Sequence, residues 1–118
     1  MISVNGIRLR EFPISLASIA GKKIVYSGGG YFRLLPYPLI RSLMKNAGYV
    51  MTYFHPRDFD RGQPMINSLP LKRKFMSYTG LRSSRIKFVQ LLEEFEFMSV
   101  ETAALNMDWK TVKTVKLD

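Results

Sequence analysis

The chain has 118 residues, a formal charge of +9, no cysteine and a single histidine. That length holds one domain, or a fragment of one, with a modest core. Without cysteine there are no disulfides, thiolate zinc sites or cysteine nucleophiles, and one histidine beside nine carboxylates leaves a zinc site within the chain short of nitrogen ligands. No stretch reaches the roughly 20 apolar residues of a membrane span, and the opening MISVNGIRLREF lacks the basic-then-apolar layout of a signal peptide; a soluble, unprocessed, cytoplasmic chain is the expectation.

In chain order, Asn5-Gly6 between two apolar runs is the strongest short-range hairpin signal, and it pairs Ile2–Val4 with Ile7–Phe12 before Pro13 ends the ladder. A strand from Lys23 to Tyr26 follows, stopped by Gly28-Gly29-Gly30, whose backbone freedom suits a tight turn or close approach to a ligand. Leu39, Ile40, Leu43 and Met44 stand at helical spacing behind prolines, with Gly48 after them, which predicts a helix from Pro38 to Asn46. The run Tyr49–Phe54 is β-branched, aromatic or apolar throughout and reads as a strand buried on both faces, ended by Pro56. Strand, glycine turn, helix and strand in succession are the sequence form of a β-α-β crossover. A long polar segment, HPRDFDRGQPMINSLP, leads to a basic helix over Leu71–Tyr78 that Gly80 ends. Ser83-Ser84 then offers an N-cap for a second helix, and Ser99 with Glu101 marks a third helix start. The closing WKTVKTVKLD alternates like a strand.

His55 ends the apolar run, at the position where α/β folds place their chemistry. It reads either as a satisfied end-of-strand side chain or as one half of an acid–base pair. Asp58 and Asp60 both follow closely enough to orient an imidazole, although acids in such loops also make Asx turns. Tyr31 and Arg33, just past Gly29 and Gly30, could meet a sugar ring; equally, Tyr31 could pack and Arg33 could pair with a carboxylate. The basic cluster Lys72-Arg73-Lys74, Arg82, Arg85 and Lys87 is either a solvated face or a surface for an anionic polymer. No nucleic-acid module signature accompanies it, so nucleic acid is not the expected partner.

The segments EFPIS, SGGGYFRLLPYPLIR, YFHPRDFDRGQP and RIKFVQLLEEFEFMSVETAAL, in that order, resemble the C-terminal part of bacterial polysaccharide deacetylases, in the branch encoded near exopolysaccharide genes. The resemblance runs from Arg10 to Leu105. It implies an α/β fold corresponding to the last third of a distorted (β/α) barrel, and a zinc-dependent hydrolysis of acetyl groups from N-acetylated sugars. The family's closing motif is a strand-terminal apolar-x-His whose histidine protonates the leaving amine, which would be His55. Tyr53 stands where that family usually has leucine, in the wall of the acetyl pocket. Asp60 fits the family's acidic position behind the histidine, and Gly29, Gly30, Tyr31 and Arg33 would shape the sugar groove. The Thr-Phe-Asp-Asp run and the His-x-x-x-His pair that hold zinc and the base have no counterpart here.

Two function classes follow. In one, the chain is the C-terminal portion of a polysaccharide N-deacetylase, silent alone because the metal motifs lie elsewhere; its partners are a polysaccharide or oligosaccharide, the remainder of the deacetylase domain, and a second copy of itself covering exposed edges. In the other, it is a small basic interaction module in which His55 is structural.

Overall fold

The computed structural model describes residues 1–117. In chain order the elements are strands β1 (Ile2–Val4), β2 (Ile7–Leu9), β3 (Ala17–Ile19) and β4 (Lys22–Ile24), helices α1 (Gly29–Leu34) and α2 (Tyr37–Lys45), and a 3-10 turn at Pro56–Asp58. Helices α3 (Leu71–Tyr78), α4 (Leu81–Glu94) and α5 (Val100–Asn106) and strand β5 (Val115–Lys116) complete them. Among the described residues this is a mixed α/β fold of five helices and two small sheets. It divides into two compact units: Met1–Pro13 with the segment from Glu96 onward, and Ile14–Phe95.

In the first unit, Asn5 and Gly6 adopt φ of 48° and 80°, the paired positive angles of a type I′ turn, and β1 and β2 run antiparallel with Val4 opposite Ile7. The closing segment supplies β5, parallel to β1, with Val115 N donating to Met1 O at 2.9 Å and Leu117 N to Ser3 O at 3.0 Å. Ser99 is the N-cap of α5, its hydroxyl accepting from Thr102 N at 3.0 Å, and Glu101 lies in the first turn, where a negative charge favours the helix dipole. After α5, Trp109 Nε1 donates to Ala104 O at 2.8 Å, and the indole meets the Phe12 ring edge-on.

In the second unit, β3 and β4 form a hairpin turned by Ala20 and Gly21, both at positive φ. The strand expected over Lys23–Tyr26 is thus β4, ending two residues earlier. Helix α2 takes Pro36 as N-cap with Pro38 in its first turn, where a missing N–H costs nothing. Tyr26, Phe32, Ile40, Met44 and Leu91 form the buried core, with Val50, Phe54 and Phe88 packed against it. Phe32, Phe54 and Phe88 continue as edge-on ring contacts at 4.9 and 5.1 Å.

Two expectations need correction. Among the described residues Tyr49–Phe54 forms no ladder, and its isolated bridge is parallel, Gly28 to Tyr53. Serine hydroxyls replace the missing strand bonds, since Ser15 Oγ accepts from Met51 N at 2.8 Å and Ser27 Oγ donates to Met51 O at 2.7 Å. Nor is the run buried on both faces, because Tyr49 and Tyr53 are exposed while Val50 and Phe54 turn inward. Second, α4 begins at Leu81, before the serines. Gly80 at φ 78° is its N-cap, directly after the Thr79 C-cap of α3, a left-handed conformation that suits glycine, and Ser84 lies buried within the helix.

Candidate functional site

The site is built around the glycine turn. The bridge to Tyr53 brings the Gly28 backbone so close that a Cβ there would overlap the Tyr53 carbonyl oxygen, and Tyr53 N donates to Ser27 O at 3.4 Å. Gly29 adopts φ 57° and, with Gly30, forms the first turn of α1, so the triple glycine passes directly into a helix. A Cβ on Gly30 would press on Met76 Cε at 3.1 Å. Tyr31 is partly exposed on this helix, whereas Phe32 and Arg33 point inward.

Arg33 is 5% exposed, and its guanidinium joins three elements. It forms an ion pair with Asp58 of the 3-10 turn and donates to the carbonyl of Met76 in α3. Burial lowers the arginine's pKa, the Asp58 charge opposes this, and Arg57 adds to the lowering. The group stays ionised because an arginine starts so far above neutrality. The Arg33 carbonyl is enclosed as well: Lys87 of α4 sends its ammonium to Arg33 O and Leu35 O at 2.7 Å each and to Phe32 O at 3.3 Å. Lys87 therefore satisfies the orphan carbonyls that end α1, and its desolvation there lowers its pKa. It belongs to the frame of the site and not to the solvated basic cluster.

His55 precedes the turn that Asp58 closes. Asp58 N donates to His55 O at 2.9 Å, and Asp58 Oδ2 accepts from His55 N at 2.9 Å. One carboxylate thus neutralises Arg33 and fixes the backbone from which the imidazole extends. The imidazole is exposed and meets the Tyr53 ring edge-on at 4.8 Å, and Tyr53 is itself 49% exposed. Asp60 is placed differently: Oδ1 accepts from Gly62 N at 2.8 Å, the Asx turn that its loop position allowed.

Of the residues singled out from sequence, the structure brings together His55, Tyr53 and the glycine turn; Asp60 is exposed in its own turn, and Arg33 is a buried strut out of reach of a sugar. Sequence reasoning named Asp58 only as a candidate to orient His55, beside Asp60, and gave Arg33 an unnamed carboxylate partner; it missed the roles of Lys87, Ser15 and Ser27. For the serines the available signal was Ser27 beside three glycines, a small hydroxyl residue placed to bond nearby backbone. Among the described residues, no three histidine, cysteine, aspartate or glutamate side chains converge to hold a metal ion. With its one histidine on an exposed turn, the chain's described residues do not by themselves make up the ligand set of a zinc site.

A family model described as a domain of unknown function, DUF3473, matches residues 1–105. No curated protein and no solved structure matches the chain.

Proposed function

The chain belongs to the DUF3473 family, and from that premise we propose that it is the C-terminal portion of a polysaccharide N-deacetylase in which His55 protonates the departing sugar amine. The observation that carries the reading is the pairing of an exposed His55 ring with an exposed Tyr53 on a backbone held from below, Tyr53 by Gly28 and His55 by Asp58. A proton donor on a fixed turn beside an aromatic ring suits a substrate whose sugar face stacks while its nitrogen meets the imidazole. The finer fold reading, the last third of a distorted (β/α) barrel, is supported by the parallel Gly28–Tyr53 bridge with α1 and α2 in its crossover. The remainder of the catalytic domain is the proposed partner. Ile86, Val89 and Leu92, exposed at helical spacing on α4, support a further polypeptide covering that side.

In this reading the hydrolytic half, with its metal and base, comes from other polypeptide, and this chain supplies leaving-group protonation and part of the sugar groove. The test is release of free amine from N-acetylglucosamine oligomers by the longer polypeptide that contains this chain, or by the chain mixed with one carrying the Thr-Phe-Asp-Asp and His-x-x-x-His motifs. The chain alone should be silent. His55→Ala in the complete enzyme should lower kcat by about 10²- to 10⁴-fold with KM little changed. Full activity in that variant would remove His55 from the mechanism.

A further inference from the structure

Arg8 lies in β2, the outgoing strand of the N-terminal hairpin, and Arg10 stands one residue past its end; both line the same pocket. The segment leading into β5 returns beside them, and Arg8, Arg10, Trp109, Lys110 and Thr114, with Met1, line a pocket of about 410 Å³. Trp109 organises it. Its Nε1–H is fixed on Ala104 O, and the Arg10 guanidinium lies 4.9 Å from the indole centroid, an arrangement that orients the cation without neutralising it. Among the described residues, no acidic side chain lines it. The neighbouring Asp108 carboxylate is engaged in its own turn, accepting from Lys110 N at 3.0 Å. Trp109, Lys110 and Thr114 all lie beyond residues 1–105, so family membership does not by itself supply this pocket.

We propose that this pocket binds a small organic oxyanion, a ring-sized molecule bearing a carboxylate or a phosphate group. Two arginines and a lysine lining one pocket, with no acidic residue among its described lining, favour an oxyanion, which an arginine can grip through two parallel hydrogen bonds. Thr114 adds a neutral hydroxyl suited to a ligand hydroxyl. The volume falls within the roughly 300–1,000 Å³ of small-molecule pockets, larger than a bare anion needs, and the indole edge supplies an apolar wall. The inference is independent of any deacetylase activity, since no residue of the His55 site takes part.

Trp109 is the chain's one tryptophan, so its fluorescence and its indole N–H resonance report on this pocket alone. The whole chain is titrated with glucuronate, glucose 6-phosphate, inorganic phosphate and glucose. A saturable response is expected with glucuronate or glucose 6-phosphate, and none with glucose; whichever of the two binds more tightly identifies the acid as carboxylate or phosphate. Arg8→Gln and Lys110→Gln, which leave the Arg10–Trp109 contact in place, should each weaken binding about tenfold, and Arg10→Gln should weaken it at least as much. Lys72→Gln, equal in charge change but in the other unit, should leave affinity unaltered. Absence of a saturable response to either acidic sugar, or equal weakening by Lys72→Gln, would overturn the proposal. Inorganic phosphate binding as tightly as glucose 6-phosphate would overturn the ring-sized part of it.

Discussion

At Gly28 a single methyl group would overlap the carbonyl oxygen of Tyr53, and at Gly80 it would lie 2.6 Å from the carbonyl of Arg33, at a φ of 78° that side chains resist. Backbone faces backbone at both places, so nothing can rotate aside. Gly28→Ala and Gly80→Ala should each destabilise the second unit by about 1–3 kcal/mol, read as a lower urea midpoint. Gly28→Ala should also shift the Tyr53 and His55 resonances, because it parts the bridge that places them. The Arg33–Asp58 pair makes a sharper test. Asp58→Asn leaves a buried guanidinium without its counter-charge and should cost roughly 3–5 kcal/mol, while Arg33→Met combined with Asp58→Leu should be less destabilised than Asp58→Asn alone. Single side chains such as these are where the sequence was least legible. Asp58 and Asp60 are chemically equal and two residues apart; only the packing of α1 beneath the turn decides that one is buried against Arg33 while the other makes an Asx turn.

Local signals did identify elements wherever the signal was the cause of the element. Asn5-Gly6 supplies the two positive φ angles its hairpin requires, and Leu71–Tyr78 forms as its pattern predicts. They failed where a distant group substituted for a neighbour. Tyr49–Phe54 has strand composition, yet hydroxyls from Ser15 and Ser27, 36 and 24 residues away, take the bonds a ladder would have made. Lys87 is a similar case: within its helix it reads as one more basic residue, and only the end of α1 reveals it as a cap. Lys87→Met should leave those carbonyls short of a donor and lower stability by about 1–3 kcal/mol, measured by thermal or urea unfolding, whereas Arg85→Met on the exposed side should change little. A second tie joins α2 to α4. The hydrogen bond from Arg41 holds the Glu94 carboxyl below the usual carboxylate range. Its folded pKa being depressed, the group contributes stability above the unfolded value and loses it as pH falls through the folded one. Because the carboxylate is exposed the effect is small and screened. Glu94→Gln should flatten the acid limb of the stability profile slightly, and the difference from the parent should vanish in high salt.

At the scale of the whole molecule, charge and apolar exposure act against each other. A net charge of +9 repels like copies, while Ile86, at 62% exposure, Val89 and Leu92 present an uncovered stripe on α4. Self-association should therefore strengthen from low to moderate salt in sedimentation, and Ile86→Lys with Val89→Lys should abolish it; a monomer at both salts would set the stripe aside as a site of self-association. The charge and the helix pattern were plain in the sequence, but the division into two units was not, because it depends on a pairing between opposite ends of the chain. That pairing has a consequence during synthesis. β1 lies between β2 and β5, and its register joins Ile2 to Val115. The β2 side can close within microseconds of emerging from the ribosome, whereas the partner for the other side is more than a hundred residues away, roughly 5–20 s of translation at ordinary rates. For that interval the nascent chain carries an open strand edge, able to pair with another copy on the same message. Slowing elongation should accordingly increase the aggregated fraction of newly made protein without altering the stability of the finished fold.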